Sequence, residues 1–212
     1  MIAIILSGCG NRDGSELQET LSLMLAIDKR GWQYQCFAPE GSYQVVSHLN
    51  GQETGEQRDL FAEAARIARG NILPLADYNP TRYDALALPG GMGAARNLST
   101  YATQGVNMVV RPDVEKAILD THKLHKPILA QCIAPMVLAK VLGRYGVRLT
   151  LGSPCTAADV AKQLGADVQV CGPTEVCSDL TNLVYTTPAY MVGTRISEIF
   201  AGADNLVRCL EQ

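Results

Sequence analysis

The sequence has little of what nucleic-acid-binding and membrane proteins require. Its 212 residues include three Phe and one Trp, the formal net charge is −3, and Lys and Arg form no cluster. Because binding to phosphate backbones needs concentrated positive charge, we expect no nucleic-acid partner. The longest apolar runs fall well short of the roughly 20 residues that span a bilayer, so we expect no membrane association.

Targeting signals are also missing from the sequence as given. Met1 is followed directly by the apolar run IAIIL, without the basic region and small-residue cleavage site of a secretory signal. No stretch rich in Arg and Ser resembles a transit peptide. These observations predict a cytoplasmic protein.

The cysteines form neither a disulfide framework nor a metal site. Their number is odd, and no CxxC pair occurs, which is typical of reduced intracellular thiols. The closest pair, Cys171 and Cys177, is too widely spaced for two ligands on one turn, and no histidine lies near it in sequence, so no metal is expected. The seven cysteines are Cys9, Cys36, Cys132, Cys155, Cys171, Cys177 and Cys209.

What the sequence does contain is an alternation of apolar runs and helical patterns. The hydrophobic content of 47% is ample for a packed core, and residues 1–212 are expected to form one domain. Strands that are apolar throughout favour a mostly parallel sheet with helices on both faces. A hairpin is predicted for residues 175–187, before a last helix from about Ala189. Strands are predicted at 2–7, 34–39, 84–91, 126–131 and 147–152, and helices at 16–30, 55–68, 112–122, 134–142 and 157–164.

Unusual residues follow several of these strands. Sites in open parallel sheets lie beyond the carboxyl ends of the strands, so these segments should meet at one edge. Cys132 stands where a strand should end and a helix should begin, with Pro135 suited to the first helical turn. The backbone N–H groups there would favour a thiolate. A buried core cysteine is the equal alternative, since free cysteine is among the most buried residue types.

Two more elements fit chemistry at that thiol. Gly90 and Gly91 end a strand, and the N–H of Gly91 together with that of Ile133 could form an oxyanion hole, although a plain turn also favours glycine. Ser15 and Gln18 read as a capping box that puts Glu16 in the first turn of a helix. Glu16 is either a solvated helix-end carboxylate or, if it faces the Cys132 sulfur, a general acid/base.

Histidine is not placed for ordinary acyl transfer. His48, His122 and His125 all precede Cys132, so a Cys–His or Ser–His pair would need one of them to approach from elsewhere in the fold. There is also no GxGxxG after the first strand and no P-loop, which leaves nucleotide binding unsupported.

The motifs together resemble a known family. LSGCGNRDGSE, CFAP, EAARIARGNI, DALALPGGMGAARNLS, CIAP and TTPAYM occur in this order through nearly the whole chain. In this combination they resemble the ElbB-type glyoxalases, a branch of the PfpI superfamily with a class I glutamine-amidotransferase-like fold.

That resemblance implies a flavodoxin-like three-layer sandwich, usually a homodimer. It implies a nucleophile matching Cys132, an acidic partner matching Glu16, and oxyanion N–H groups from Gly91 and Ile133. The activity implied is conversion of glyoxal, a small dicarbonyl, to glycolate without any cofactor, with apparent deglycation of glyoxal adducts. Unlike the superfamily's proteases and amidotransferases, the chain has Ile133 after the cysteine and no later histidine.

Two further functions remain open at this point. The first is a non-catalytic redox-sensing or partner-binding protein that uses the same thiol. The second is a cysteine hydrolase acting on small amides or esters, for which the sequence offers no histidine after the cysteine. Three other residues are candidates for the pocket: Cys9, expected near Glu16 and most simply a packed thiol, and Asn97 and Tyr190, whose side-chain directions the sequence leaves open.

Overall fold

The computed structural model describes residues 1–211, which form eleven β-strands and eight α-helices. The strands are β1 (Ile2–Ile5), β2 (Tyr34–Ala38), β3 (Ser42–Val46), β4 (Glu53–Asp59), β5 (Ile72–Pro74), β6 (Ala85–Leu88), β7 (Ile128–Gln131), β8 (Arg148–Thr150), β9 (Asp167–Gln169), β10 (Cys177–Asp179) and β11 (Val184–Thr187). The helices are α1 (Leu17–Asp28), α2 (Leu60–Ile67), α3 (Met92–Arg96), α4 (Tyr101–Gln104), α5 (Pro112–Lys123), α6 (Pro135–Leu142), α7 (Thr156–Gln163) and α8 (Ile196–Arg208).

Seven of the strands form one sheet in the order β10-β11-β7-β6-β1-β2-β5. All neighbouring strands are parallel except the β10–β11 hairpin. Strands β1, β6, β7 and β11 are buried along their whole length. This explains why β1 and β6 are apolar throughout rather than alternating, while β7 ends in Gln131 and β11 in two buried threonines. In register, Ile4 of β1 pairs with Cys36 of β2 and with Ala87 of β6.

Helices cover both faces of this sheet and divide the core in two. Along β1, Ile5 points into a core that contains Ile118 of α5 and Val137 of α6. Ile4, one residue earlier, points the opposite way, into a core shared with α1 and α8 through side chains such as Leu23. This period of two is what a pleated strand imposes. The predicted α/β sandwich with helices on both faces is confirmed.

Two segments differ from the sequence prediction. Residues 55–68 were expected to form one helix, but they contain most of β4 followed by α2. Strand β4 pairs antiparallel with β3 away from the main sheet, and its side chains are mostly exposed, so no apolar alternation marks it as a strand. Strand β8 was expected in the main sheet and instead pairs with β9.

The C-terminal region follows the prediction more closely. The hairpin expected at 175–187 is present as β10 and β11. The last helix begins at Ile196 rather than near Ala189, because residues 189–191 form a separate 3₁₀ turn. Within residues 1–211, no helix combines the length and the apolar character needed to cross a membrane.

Candidate active site

Cys132 occupies a strained turn between β7 and α6. Its backbone φ is +58°, in the left-handed region that a residue with a side chain rarely adopts. The strain is held by the sheet, because the Cys132 N–H donates to the Thr187 carbonyl of β11 at 3.0 Å. A turn of this kind costs of order 1–3 kcal/mol and is typical of functional positions. The residue lies directly after β7, where the sequence analysis expected it, and it is partly exposed.

The carboxyl group that meets this thiol belongs to Glu19. It lies in the first turn of α1 and is fully buried. Its Oε1 accepts a hydrogen bond from the Tyr190 N–H at 3.2 Å, while Oε2 has no hydrogen-bond partner within the described residues. A Cβ added to Gly90 would lie 2.2 Å from Glu19 Oε2 and 3.1 Å from Cys132 Sγ. Gly90 therefore leaves open the space where the carboxyl and the sulfur approach each other.

The two groups change each other's ionisation. Burial, reinforced by the neighbouring Glu16 carboxylate, raises the pKa of Glu19 from 4.5 to about 8. Burial and the negative charge of Glu19 raise the pKa of the Cys132 thiol well above its ordinary value. Two adjacent anions are unfavourable in a buried site. The Glu19 carboxyl and the Cys132 thiol therefore titrate as a coupled pair, and this pair retains a proton at neutral pH.

Two backbone N–H groups favour the sulfur in its charged form. They belong to Gly91 and Ile133, and both lower the pKa of Cys132 against the larger effect of burial. Gly91 has a φ of +99° just before α3, and a Cβ there would lie 2.3 Å from the Gly14 carbonyl oxygen. Only glycine fits this close approach. The structure thus brings together Cys132, Gly90, Gly91 and Ile133, all of which the sequence singled out.

Glu16 lies elsewhere than expected. It is the N-cap of α1, and its Oε2 accepts the Glu19 N–H at 2.6 Å, while the Ser15 hydroxyl expected to cap the helix contacts Ser7 instead. An N-cap side chain bends back onto its own first turn, whereas the third helical residue points inward. For this reason Glu19, and not Glu16, is the carboxyl beside the Cys132 sulfur. Burial raises the pKa of Glu16 as well.

The loop between β1 and α1 is fixed against the segment that carries Gly90 and Gly91. The Glu16 N–H donates to the Gly90 carbonyl at 2.9 Å. The Asn97 amide donates to the carbonyls of Ser7 at 2.8 Å and Asp13 at 2.7 Å. Asn97 therefore holds the wall of the site in place.

Tyr190 and Cys9 have different positions relative to the site. Tyr190 lies at the rim, where its N–H holds Glu19 and its hydroxyl donates to Gln18. Cys9 lies near Glu16 as expected, since its backbone forms a bridge with Ser15, the residue before Glu16. Its side chain packs against the core on the α1 side of the sheet, and the charged groups that act on it are those of Glu63, Arg66, Asp13 and Arg58. Burial raises the pKa of Cys9, which agrees with a packed thiol.

Two of the three histidines have partners outside the site. His122 Nε2 lies 3.1 Å from the Asn182 side-chain oxygen, and His48 Nδ1 lies 3.1 Å from the Val46 carbonyl oxygen. Over residues 1–211, no three His, Cys, Asp or Glu side chains are grouped so that they could hold a metal ion.

Comparison with known proteins identifies relatives in sequence and in fold. No family model matches the chain. It is 39% identical over 218 residues to the human "Glutamine amidotransferase-like class 1 domain-containing protein 3, mitochondrial", covering 98% of this chain and 81% of the relative. It also superposes on the crystal structure of an "isoprenoid biosynthesis protein with amidotransferase-like domain" from Ehrlichia chaffeensis, with a TM-score of 0.92 and 30% identity over 99% of this chain and 98% of the other.

A more distant neighbour shares the fold alone. This is the DJ-1 superfamily protein Atu0886 from Agrobacterium tumefaciens, with a TM-score of 0.58 and 17% identity over 99% of this chain and 90% of that one. The amidotransferase-like fold implied by the sequence motifs is thereby confirmed. By its identity to the human relative over nearly its whole length, the chain belongs to the family of class I glutamine amidotransferase-like proteins.

Proposed function

We propose that this chain is a cofactor-independent glyoxalase that converts glyoxal to glycolate through a covalent bond to Cys132. The observation that carries the proposal is the pairing of a strained, partly exposed cysteine with a buried carboxyl whose pKa is raised to about 8. Such a carboxyl can give and take a proton near neutral pH, which is what isomerisation of a dicarbonyl needs.

The reaction begins with addition of the thiol to one aldehyde carbon. A sulfur–carbon bond forms, the carbonyl double bond opens, and the thiol proton passes by way of Glu19 to the new hydroxyl oxygen. The N–H groups of Gly91 and Ile133 act on the sulfur in the free site. In this scheme they donate to the new oxygen and stabilise negative charge as it develops there. The product of this step is a hemithioacetal.

Glu19 then moves a proton between the two carbons. It removes the C–H proton of the hemithioacetal carbon and delivers it to the neighbouring carbon through an enediol, which leaves a thioester of glycolate. Water cleaves the carbon–sulfur bond and restores the thiol. One carbon is oxidised as the other is reduced, and glyoxal plus water equals glycolic acid, so the cycle needs no external oxidant or reductant. Removal of free glyoxal would also produce apparent deglycation of its adducts.

The test is glycolate production from glyoxal, followed by NMR. Wild type should show saturable turnover that rises with pH through about 8, as Glu19 becomes able to accept a proton. Cys132→Ser should abolish turnover, and Glu19→Gln should lower it by roughly 10²- to 10⁴-fold, the usual contribution of a positioned acid/base. Glu16→Gln is the matched control, since it removes the other helix-end carboxylate, and it should retain most of the activity.

Two results would contradict parts of this scheme. Full activity in Cys132→Ser would rule out the covalent step. An equal loss in Glu16→Gln and Glu19→Gln would mean that Glu16 takes part in proton transfer as well.

A redox-sensing role is the second candidate. The same partly exposed thiol stands beside a carboxyl that can hydrogen bond to an oxidised sulfur. This candidate is the weaker one because oxidants react with the thiolate, whose formation the raised pKa of Cys132 disfavours. In the glyoxalase scheme, by contrast, Glu19 takes up the thiol proton as the sulfur–carbon bond forms. Stoichiometric addition of oxygen to Cys132 by peroxide, measured by intact mass in a protein without saturable glyoxal turnover, would favour the sensor.

The cellular location is part of the proposal. We place the chain in the reducing environment of the cytoplasm because its seven cysteines are free, although the human relative carries "mitochondrial" in its name. Cell fractionation with antibody detection tests this, and enrichment in an organelle fraction would overturn it.

A further inference from the structure

The Gln131 side chain is a buried amide that the proposed mechanism does not use. It lies at the end of β7, directly before Cys132, and the residue is 0% exposed. Within residues 1–211, neither its Oε1 nor its Nε2 has a hydrogen-bond partner. A buried amide without partners destabilises a folded chain, so buried amides are normally bonded to the protein or to ordered water. This amide therefore points to a bound ligand.

Gln131 faces the side of the sheet on which α1 and α8 pack. Leu129, two residues earlier on β7, belongs to the core that contains Leu23 of α1, and side chains two residues apart on a strand point to the same side. Thr187 of β11 pairs with Gln131 in register, and its hydroxyl oxygen lies 3.1 Å from the position that a Cβ on Gly202 of α8 would take. The amide therefore lies beneath these two helices, at the carboxyl edge of the sheet.

Glu19 presents a second unpartnered group on the same side and at the same edge. It lies in the first turn of α1, and its Oε1 is held by the N–H of Tyr190, just beyond β11. Its Oε2 faces Cys132, the residue that follows Gln131, and has no hydrogen-bond partner within the described part of the chain. Two buried polar groups that lack partners thus converge on one place in the fold.

We infer that the Gln131 amide and Glu19 Oε2 bind one ordered water between them, through which Gln131 acts as a positioning residue for Glu19. A buried water typically makes about three hydrogen bonds, and here the amide offers a donor and an acceptor while the carboxyl offers the third partner. Larger ligands have no access, because both residues are 0% exposed. The catalytic part of this inference rests on the proposed role of Glu19 in proton transfer, whereas the water site does not.

A water at this place favours the ionised form of Glu19. Oε1 already accepts one hydrogen bond, and a donor to Oε2 supports the negative charge that forms when the acid gives up its proton. The other titratable groups that face Glu19 are Glu16 on its own helix, Cys132 after β7 and Tyr190 after β11, and none of these can carry a positive charge. Gln131 therefore opposes their effect on the carboxyl.

The variant Gln131→Met tests this role. Methionine has nearly the length and shape of glutamine but cannot hold the water, so the pKa of Glu19 should rise by about one unit. Glyoxal turnover should then fall about tenfold at pH 7 and should approach that of wild type by pH 10. Thr186→Val is the matched control, because it removes the buried hydrogen bond from the Thr150 N–H at 2.8 Å on the opposite side of the sheet. Its pH midpoint should equal that of wild type.

Two measurements are independent of glyoxal. Carbon-13 NMR of the glutamate carboxyls gives the pKa of Glu19, whose signal is assigned by its loss in Glu19→Gln. A high-resolution crystal structure of wild type should show a water within about 3.2 Å of both the Gln131 amide and Glu19 Oε2.

An unchanged Glu19 pKa in folded Gln131→Met, or a crystal structure in which the amide bonds only to protein groups, would overturn the inference. Circular dichroism verifies that the variant is folded, and the crystal structure tests the site without any substitution. A wild type that shows the water and the shifted titration but no glyoxal turnover would confirm the water site and refute the proposed activity.

Discussion

Replacing Glu19 by glutamine should stabilise the protein at alkaline pH. The folded chain holds this carboxyl protonated to about pH 8, because it is buried beside Cys132 and Glu16, whereas its ordinary pKa is 4.5. Between these two values the folded state binds more protons at this group than the unfolded state does. Stability therefore falls as pH rises through this interval. Glutamine has nearly the same shape and does not ionise, so the variant lacks this loss.

The magnitude follows from the two pKa values. A difference of about 3.5 pH units, at 1.36 kcal/mol per unit, corresponds to roughly 5 kcal/mol lost between about pH 4.5 and pH 8. The advantage of Glu19→Gln over wild type should therefore be small near pH 5 and should grow by several kcal/mol on approaching pH 8.

Urea unfolding of both proteins at pH 5, 6, 7 and 8 measures this difference directly. Glu115→Gln is a suitable control, because Glu115 also lies in the first turn of a helix but is exposed, and its stability curve should follow that of wild type. Parallel loss of stability in wild type and Glu19→Gln over this range would refute the account of the buried carboxyl.

Two further predictions concern the same pair of groups. In wild type at pH 9, Glu19 is largely ionised and its negative charge raises the pKa of Cys132. In Glu19→Gln this charge is absent, so alkylation of Cys132 by iodoacetamide at pH 9 should become faster even as turnover is lost. Peptide mass spectrometry measures the rate, and a slower reaction would contradict the electrostatic argument. Gly90→Ala should lower the free energy of unfolding, measured in urea, by about 1–3 kcal/mol and should remove most of the activity, because its Cβ would lie 2.3 Å from Cys132 Cβ. In the control Gly172→Ala, the nearest atom to the new Cβ is 3.5 Å away, so stability and activity should change little.

The main features of the sheet and of the sulfur's surroundings were predictable from sequence. Strands buried on both sides read as continuous apolar runs, and a parallel sheet brings their carboxyl ends to one edge. The positions of Cys132, Gly91 and Ile133 follow from that rule, because each lies within three residues of the end of a strand. No contact between distant side chains had to be known in order to place them.

The carboxyl partner could not be assigned in this way, because α1 has leucines on two sides. One row consists of Leu17, Leu21 and Leu25, and another places Glu19 one turn before Leu23. From periodicity alone either row could face the core, and the first has more leucine. Only the packing of α1 on the sheet shows that Glu19 and Leu23 are inside.

The β3–β4 hairpin was missed for a different reason. Residues 53–59 read ETGEQRD, and almost all are exposed in the structure, so no buried face imposes a period of two on the sequence. The strand conformation of β4 is stabilised by hydrogen bonds to β3, and such pairing leaves no periodic pattern of apolar residues in the sequence.

The left-handed backbone at Cys132 has a consequence for how the sulfur is aimed. A side chain on an ordinary strand or helix reaches a given direction by choosing among rotamers, and it gives up entropy when it is held there. At Cys132, a φ of +58° and the bond to Thr187 orient the Cα–Cβ vector itself toward the open edge of the sheet. The thiol is thus directed by the fold before any reactant arrives, and the energetic penalty of its orientation is incurred once, when the chain folds.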